Sequence, residues 1–248
     1  MKTLRIQMRV PLVLAALLIQ LPGIVSGADS MGRLHVGEGE TLTVPLGESL
    51  HHTGSITVSG NGQVLVHGTL DLDGQLVITE DGVVNVDGGT LNLAGDDTHI
   101  TLNGNAGLAV VNGAMLHFVQ SYVHQHTINA HDTSRVFLFE AEVRSDGSAE
   151  TVILRDSAAY TAIGTQFEDW TTWYMWNTSA LTLDTVSKAG DIVFYDSPSI
   201  DIRNTVAVMP WMYFPEGAVA DLSLPDTADC QPTSLVIDPS VVDGIGWS

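Results

Sequence analysis

The sequence is poor in basic residues, in cysteine and in long apolar segments. Its 248 residues include 9 Lys+Arg against 29 Asp+Glu, which gives a formal net charge of −20. Such a chain repels a phosphate backbone, and no Lys/Arg-rich run offsets the repulsion, so we expect no nucleic acid partner. Cys230 is the single cysteine. A disulfide within the chain is therefore excluded, and packing and backbone hydrogen bonds must stabilise the fold.

The charged residues are also few for an acidic chain. They make up 15% of the sequence, whereas hydrophobic residues make up 44%. Disordered acidic chains combine high net charge with low hydrophobicity, and this composition does not fit that class. We therefore expect a folded protein with one sizeable core.

The first 28 residues have the layout of a secretory signal peptide. Lys2, Arg5 and Arg9 precede an apolar run at 10–21, and small residues at 26–28 offer a cleavage site. The apolar run is shorter than the ~20 residues that a membrane-spanning helix needs. Cleavage would remove three basic residues and no acidic one, which takes the net charge from −20 to −23. We expect no membrane span after signal cleavage, and a secreted protein that is extracellular or at the cell surface, with the periplasm as the alternative.

The rest of the chain repeats short segments with a period of two. Apolar residues two apart recur between Gly, Asn and Asp turns, which is typical of short β-strands. The segment 69–72 (TLDL) returns as 90–93 (TLNL) after 21 residues. Three such strands in every 20 to 25 residues predict a solenoid coil.

Asx residues recur at a fixed distance from these strands. Each is followed four and six residues later by an apolar pair, and the later ones are preceded by another pair. We interpret them as anchors that mark one turn in successive coils. The anchors are Asp87, Asn112, Asp132, Asp156, Asn177 and Asp196.

No segment shows the 3.6-residue period of a helix, which excludes α/β folds. We predict an all-β, right-handed parallel β-helix of about eight coils with no significant helix. The coil pattern resembles the right-handed parallel β-helix superfamily, which includes pectate lyases, polygalacturonases, tailspike proteins and many extracellular surface proteins. The right hand comes from this resemblance and from the bias of parallel crossovers. The predicted divisions are the signal peptide at 1–28, an N-terminal cap at 29–54, the β-helix at 55–224 and a C-terminal tail or cap at 225–248.

Stacked coils place residues with the same offset from successive anchors side by side. The positions one and three residues before each anchor are predicted to point outward, and they form two columns. The last member of each column assumes that Pro215 is the next anchor. The columns are Val111, His131, Arg155, Trp176, Tyr195 and Phe214, and Ala109, Asn129, Ile153, Tyr174, Val193 and Met212.

A row of outward aromatic side chains indicates a binding surface. Two interpretations stay open: the C-terminal tail or a partner covers the row, or the row contacts glycans. The resemblance implies the second, because β-helix polysaccharide enzymes hold substrate on this strand face. The candidate ligand-binding residues are Tyr174, Trp176, Tyr195, Phe214 and Arg155.

Metal sites have weaker support in the sequence. Stacked Asx carboxylates offer oxygen ligands to Ca²⁺, but Asx side chains at turns commonly bond their own backbone. His124 and His126 could start a transition-metal site if a third ligand were present. We expect no cofactor, with Ca²⁺ as the alternative.

The Asn-Thr-Asp and Arg-Ile-Lys signatures of the polygalacturonases are absent. A mechanism like that of the pectate lyases needs Ca²⁺ and an Arg or Lys base, and of the few basic residues only Arg155 maps to the predicted groove. We therefore favour a non-catalytic, exported binding or adhesion module with a glycan or a cell-surface protein as partner. One alternative is a polysaccharide lyase or glycoside hydrolase that uses Arg155, His131 and Asp132 or Asp156 as acid and base. The other is a purely structural subunit whose aromatic row packs on a second protein.

Overall fold

The computed structural model describes nine stretches of the chain. They are residues 28–95, 98–119, 127–145, 150–168, 171–187, 190–203, 212–214, 221–223 and 235–237. Within them the chain forms strands β1 to β24, joined by short turns, and no helix. Every strand pairing is parallel.

The strands wind into a parallel β-solenoid of about seven turns. This confirms the predicted fold class, with about one coil fewer than expected. The predicted count included the chain after Arg203, of which the structure describes only three short strands. At ~4.8 Å per coil, seven turns give a rod of roughly 34 Å.

Each regular coil contributes one strand to each of three faces. The first face is a nine-stranded sheet. Its strands are β2 (Thr41–Val44), β4 (Gln63–Val66), β7 (Val83–Asp87), β10 (Gly107–Val111), β13 (Arg135–Phe139), β16 (Ala159–Ile163), β19 (Ala180–Asp184), β21 (Ser199–Arg203) and β23 (Asp221–Ser223).

The second and third faces are two arms of one bent sheet, and β1 (Ala28–Val36) and β3 (Ser49–Val58) run across the bend. The second face is β5 (Thr69–Asp73), β8 (Thr90–Ala94), β11 (Met115–Phe118), β14 (Glu142–Ser145) and β17 (Gln166–Phe167). The third face is β6 (Leu76–Glu80), β9 (His99–Gly104), β12 (Thr127–Ala130), β15 (Glu150–Leu154), β18 (Thr171–Met175), β20 (Ile192–Phe194), β22 (Met212–Phe214) and β24 (Leu235–Ile237).

Alternation along each strand separates the core from the surface. The inward residues of successive coils stack in register, as Leu70 does on Leu91 and Leu72 on Leu93, and these four side chains are fully buried. The predicted inward pairs at 70/72 and 91/93 are thus confirmed. The buried side chains of all coils form one continuous core.

The anchors prove to lie at two different corners of the coil. Asp87 is the last residue of a strand of the first face, and Asn112 directly follows another strand of that face. The other four anchors each follow a strand of the third face. Both corners have a residue with positive φ in most coils, for example Asn112 (φ 60°) at one and Asp132 (φ 58°) at the other. Because Asx tolerates this conformation, an Asx residue beside a strand can mark either corner. The single column predicted from the anchors is therefore wrong for Val111 and Ala109, which belong to the first face beside Phe139 and Phe137.

Candidate functional site

The predicted aromatic row lies on the outer side of the third face. We call Arg155, Tyr174, Trp176 and Tyr195 the aromatic strip. Tyr174 pairs with Ile153 in the coil before and with Val193 in the coil after. Arg155, Trp176 and Tyr195 come directly after β15, β18 and β20, and each donates its backbone N–H to the preceding coil. The strip therefore spans three consecutive coils, as predicted.

The rings of the strip stack on one another. The Trp176 and Tyr195 ring centroids are 4.7 Å apart with planes 6° from parallel, and those of Tyr174 and Trp176 are 5.9 Å apart at 21°. The Arg155 guanidinium carbon lies 5.1 Å from the centroid of the Trp176 ring. The three rings are half-buried, and Arg155 is exposed.

The backbone spacing explains this stacking. Parallel strands in a sheet lie ~4.8 Å apart, which is close to the separation of the Trp176 and Tyr195 rings. Arg155 belongs to the coil before Trp176 and Tyr195 to the coil after it, so the indole lies between a cation and a second ring. A ligand would therefore meet ring edges, polar ring atoms and the guanidinium, rather than a broad open ring face.

The other candidate residues lie beside the strip or at the adjoining corner. His131 precedes Arg155 in the same outward column and is half-buried. Asp132 and Asp156 lie at the corner that leads to the first face, and their carboxylates accept hydrogen bonds. Gly104 N–H donates to Asp132 Oδ2 at 2.9 Å, and Asn177 Nδ2 donates to Asp156 Oδ1 at 3.0 Å.

These corner contacts form a ladder along the rod. The backbone N–H of Asp132 donates to Asp156 Oδ2, and that of Asn177 to Asp196 Oδ2, both at 3.3 Å. Each carboxylate thus bonds the positive-φ residue of the coil before it. The carboxylates of Asp132 and Asp156 therefore support the corner, and their hydrogen bonds in the described structure go to Gly104, Asp132 and Asn177 rather than to His131 or Arg155.

Metal ligands are not brought together in the described part of the chain. Among those residues, no group of three or more His, Cys, Asp or Glu side chains is arranged to hold a metal ion. His124 and His126 lie outside the described residues.

The register of β22 differs by one residue from the predicted one. Tyr213, rather than Met212, pairs with Val193 and therefore continues the outward column of Tyr174. Tyr213 is exposed (46%). The prediction counted back from Pro215 as an anchor. The register is set instead by the alternation of inward and outward residues, and a shift of one residue moves each side chain to the other side of the sheet. Tyr213 thus occupies the outward column in which Met212 was predicted, and the side chain of Phe214 is outside the described part of the structure.

The first face carries an apolar patch that the sequence analysis missed. Phe137 is 40% exposed and stacks on Phe139 at 6.3 Å, with ring planes 4° from parallel. Val111 and Ile163 pair with Phe139 on either side. The signal was present in β13, where Phe137 and Phe139 alternate with the inward Val136 and Leu138.

A hydrogen-bonded polar row runs along the second face. Asn92 Nδ2 donates to Asp71 Oδ1 at 2.6 Å, and Asn92 Oδ1 lies 3.1 Å from His117 Nδ1. Since an amide oxygen only accepts, His117 Nδ1 carries the proton in this contact. Arg144 is next in register and bonds Glu142. This row links successive coils and lies on a different face from the aromatic strip.

Burial shifts the pKa of two groups near the ends of the described coils. Burial lowers the pKa of His52, whose side chain points into the first coils. Burial raises the pKa of the Asp191 carboxyl, which precedes β20. Neither group belongs to the aromatic strip.

The fold and this surface define a parallel β-solenoid protein with a rigid, half-exposed aromatic strip. No family model, curated protein or solved structure matches the chain. In the part of the chain that the structure describes, no helix is long and apolar enough to cross a membrane.

Proposed function

We propose that this protein is an exported, non-catalytic β-solenoid that acts as a rigid binding module at the cell surface or in the extracellular matrix. The signal-peptide pattern at 1–28 supports the export. The coil pattern supports a right-handed solenoid related to the pectate-lyase-like β-helix proteins. Fold alone does not define a function, so the argument for binding rests on the aromatic strip.

The geometry of the aromatic strip carries the proposal. Arg155, Tyr174, Trp176 and Tyr195 come from three strands whose backbones are locked by ladder hydrogen bonds. Each ring is held by its neighbours, so little side-chain freedom is lost when a ligand binds. Aromatic and Arg side chains are also the residue types that dominate binding surfaces.

A neutral glycan fits this surface better than an acidic one. The net charge of −20 repels polyuronates and other polyanions. The strip offers two tyrosine hydroxyls, an indole N–H and a guanidinium along the rod axis. These groups can exchange hydrogen bonds with sugar hydroxyls while the ring edges contact the apolar parts of the sugar.

The test is a glycan array, with and without Ca²⁺, followed by titration of the best polymer. The full chain is expressed and recovered after export. Trp176→Ala should weaken binding by at least ~10-fold, because it removes the central ring and leaves Arg155 and Tyr195 without their stacking partner. Phe137→Ala is the matched control: it removes an exposed ring from the first face and should leave binding unchanged.

Three outcomes contradict the proposal. Equal binding by wild type and Trp176→Ala would separate the strip from glycan recognition. Release of reducing or unsaturated ends from the same polymers would make the protein a polysaccharide-active enzyme. Absence of any glycan binding would leave a protein partner, or the tail at 225–248, as the occupant of the strip.

A further inference from the structure

In the described part of the chain, the solenoid begins with β1, and one edge of this strand is unpaired. β1 pairs only with β3 among the described strands, so along its nine residues the N–H and C=O groups of every second residue point to an edge with no described partner. Exposed, unblocked edges of this length are templates for pairing with another chain.

The N-terminal coil exposes two large apolar side chains. The two most exposed large hydrophobic side chains of the described structure, Met31 (83%) and Leu46 (82%), both lie here. Leu34 is only partly buried against the core, whereas the core residues of the middle coils are almost completely covered. The N-terminal end therefore leaves apolar surface in water that a further layer would cover.

A column of glycines marks the place beside β1 that no described residue fills. Gly32, Gly54 and Gly74 lie in register at the bend between the second and third faces, all with positive φ. A Cβ on Gly54 would collide with the carbonyl oxygen of Gly32, and one on Gly74 with that of Gly54. A Cβ on Gly32 would meet nothing within 4 Å, so the position that a preceding strand fills elsewhere is open.

We propose that a second copy of this chain fills this layer, through antiparallel pairing of β1 with β1 about a two-fold axis at Gly32. The bend of β1 falls at Gly32, so this axis superposes the bends of the two copies. The same axis places the second face of one copy next to the third face of the other. The two solenoids therefore continue along one common rod axis. A closed two-fold contact of this kind uses the same surface on both subunits.

This pairing brings complementary side chains together. With Gly32 opposite Gly32, Asp29 of each copy faces His35 of the other, and Met31 faces Arg33. All four side chains are exposed in the single chain. Opposite residues of an antiparallel pair point to the same side, with Cβ atoms about 5 Å apart. The symmetry gives two acid–imidazole contacts and two contacts of a methionine with the aliphatic part of an arginine.

The oligomeric state tests the pairing, with charge as the probe. Mass is measured by light scattering and sedimentation on the exported protein at concentrations up to about 100 μM, where a Kd of 1 μM leaves mostly dimer. Wild type is expected to be a dimer. Met31→Lys places a cation opposite each Arg33 and should raise the Kd at least ~10-fold. Met31→Glu places an anion there and should keep the dimer.

Two further variants serve as controls. Met31→Lys combined with Arg33→Glu restores opposite charges and should recover the dimer, which a folding defect would not allow. Phe137→Lys changes an exposed apolar residue of the first face and should have no effect on the mass.

Several results would overturn the pairing. A monomeric wild type over the whole range would do so, and so would equal weakening by Met31→Lys and Met31→Glu, which would indicate non-specific apolar association. Dissociation by Phe137→Lys would place the contact on the first face instead. None of these outcomes bears on glycan binding by the aromatic strip, so the two proposals fail separately.

Discussion

The early coils and the later coils share one backbone plan but differ in their side chains. Residues 1–117 contain no Phe, Trp or Tyr, and all 16 aromatic residues come at Phe118 or later. The core of the early coils is built from Val, Leu and Ile, whereas the later core includes Tyr160, Trp173 and Phe194. On the outer third face, the early coils present Thr57 and Thr101 in the column that later holds Tyr174.

This difference shows how little the solenoid backbone constrains what each face carries. Ladder hydrogen bonds and corners with positive φ occur in both halves. Large side chains fit the later core because small ones accompany them, as Ala162 follows Tyr160 in β16. The aromatic strip thus lies on a framework that the early coils repeat without it.

The largest expected effect comes from the later core. Trp173 is fully buried and meets Phe167 edge-on at 6.1 Å between centroids. Trp173→Ala should reduce the free energy of unfolding by about 4 kcal/mol, because a large cavity replaces the indole. Leu72→Ala in the early core should cost about 3 kcal/mol. Urea unfolding followed by circular dichroism compares them, and a smaller loss for Trp173→Ala would contradict the prediction.

The bend of the early coils should be nearly as sensitive. Gly74 has a φ of 149°, and a Cβ there would collide with the Gly54 carbonyl oxygen. Gly74→Ala should therefore cost about 3 kcal/mol. Gly113→Ala is the control, since Gly113 also has positive φ but open space at its Cβ, and should cost about 1 kcal/mol. Equal losses in thermal or urea unfolding would show that the collision is absent.

The corner ladder should respond equally in both halves. Asp156 in the later coils and Glu80 in the early coils both have φ near 60°, and each accepts a backbone N–H from the coil before. Replacing either by Ala should cost about 1 to 2 kcal/mol, from the lost hydrogen bond and the positive φ. Asp156→Gly tolerates the backbone conformation and should recover part of the loss. A cost confined to one half would contradict a shared framework.

Acid should weaken the early coils through His52. This imidazole is buried, and Ser30 Oγ lies 2.7 Å from its Nδ1. Burial lowers the pKa of His52 from the usual 6.5, so the unfolded chain binds the proton more readily than the folded protein does. The free energy of unfolding therefore keeps its full value above pH 6.5 and decreases as the pH falls below it.

His52→Leu continues the inward column of Leu72 and should reduce this acid sensitivity. Melting temperatures of wild type and variant between pH 7 and pH 5 measure the difference. Identical pH profiles would show that His52 does not contribute to the acid response.

The sequence alone predicted the strands and the side of the sheet for most residues. In a parallel solenoid, each strand alternates strictly, so the pairs at 70/72 and 91/93 identified the core without any knowledge of the coil. The same rule, counted from Asp156, Asn177 and Asp196, correctly placed Arg155, Trp176 and Tyr195 in one column. The same rule could have predicted that Phe137 and Phe139 point outward, because they alternate with the inward residues Val136 and Leu138.

Other features depended on the tertiary structure. Both corners can have a positive-φ residue, so local pattern alone did not separate Asn112 from Asp132 or keep Val111 out of the strip. The shift from Met212 to Tyr213 beside Val193 was a matter of register, which is decided by the pairing of whole strands. The stacking of Arg155, Trp176 and Tyr195 and the open space beside Gly32 exist only between coils. Alternation is a property of one strand and is written in the sequence, whereas register, stacking and open edges are properties of neighbouring strands and arise only when the coils assemble.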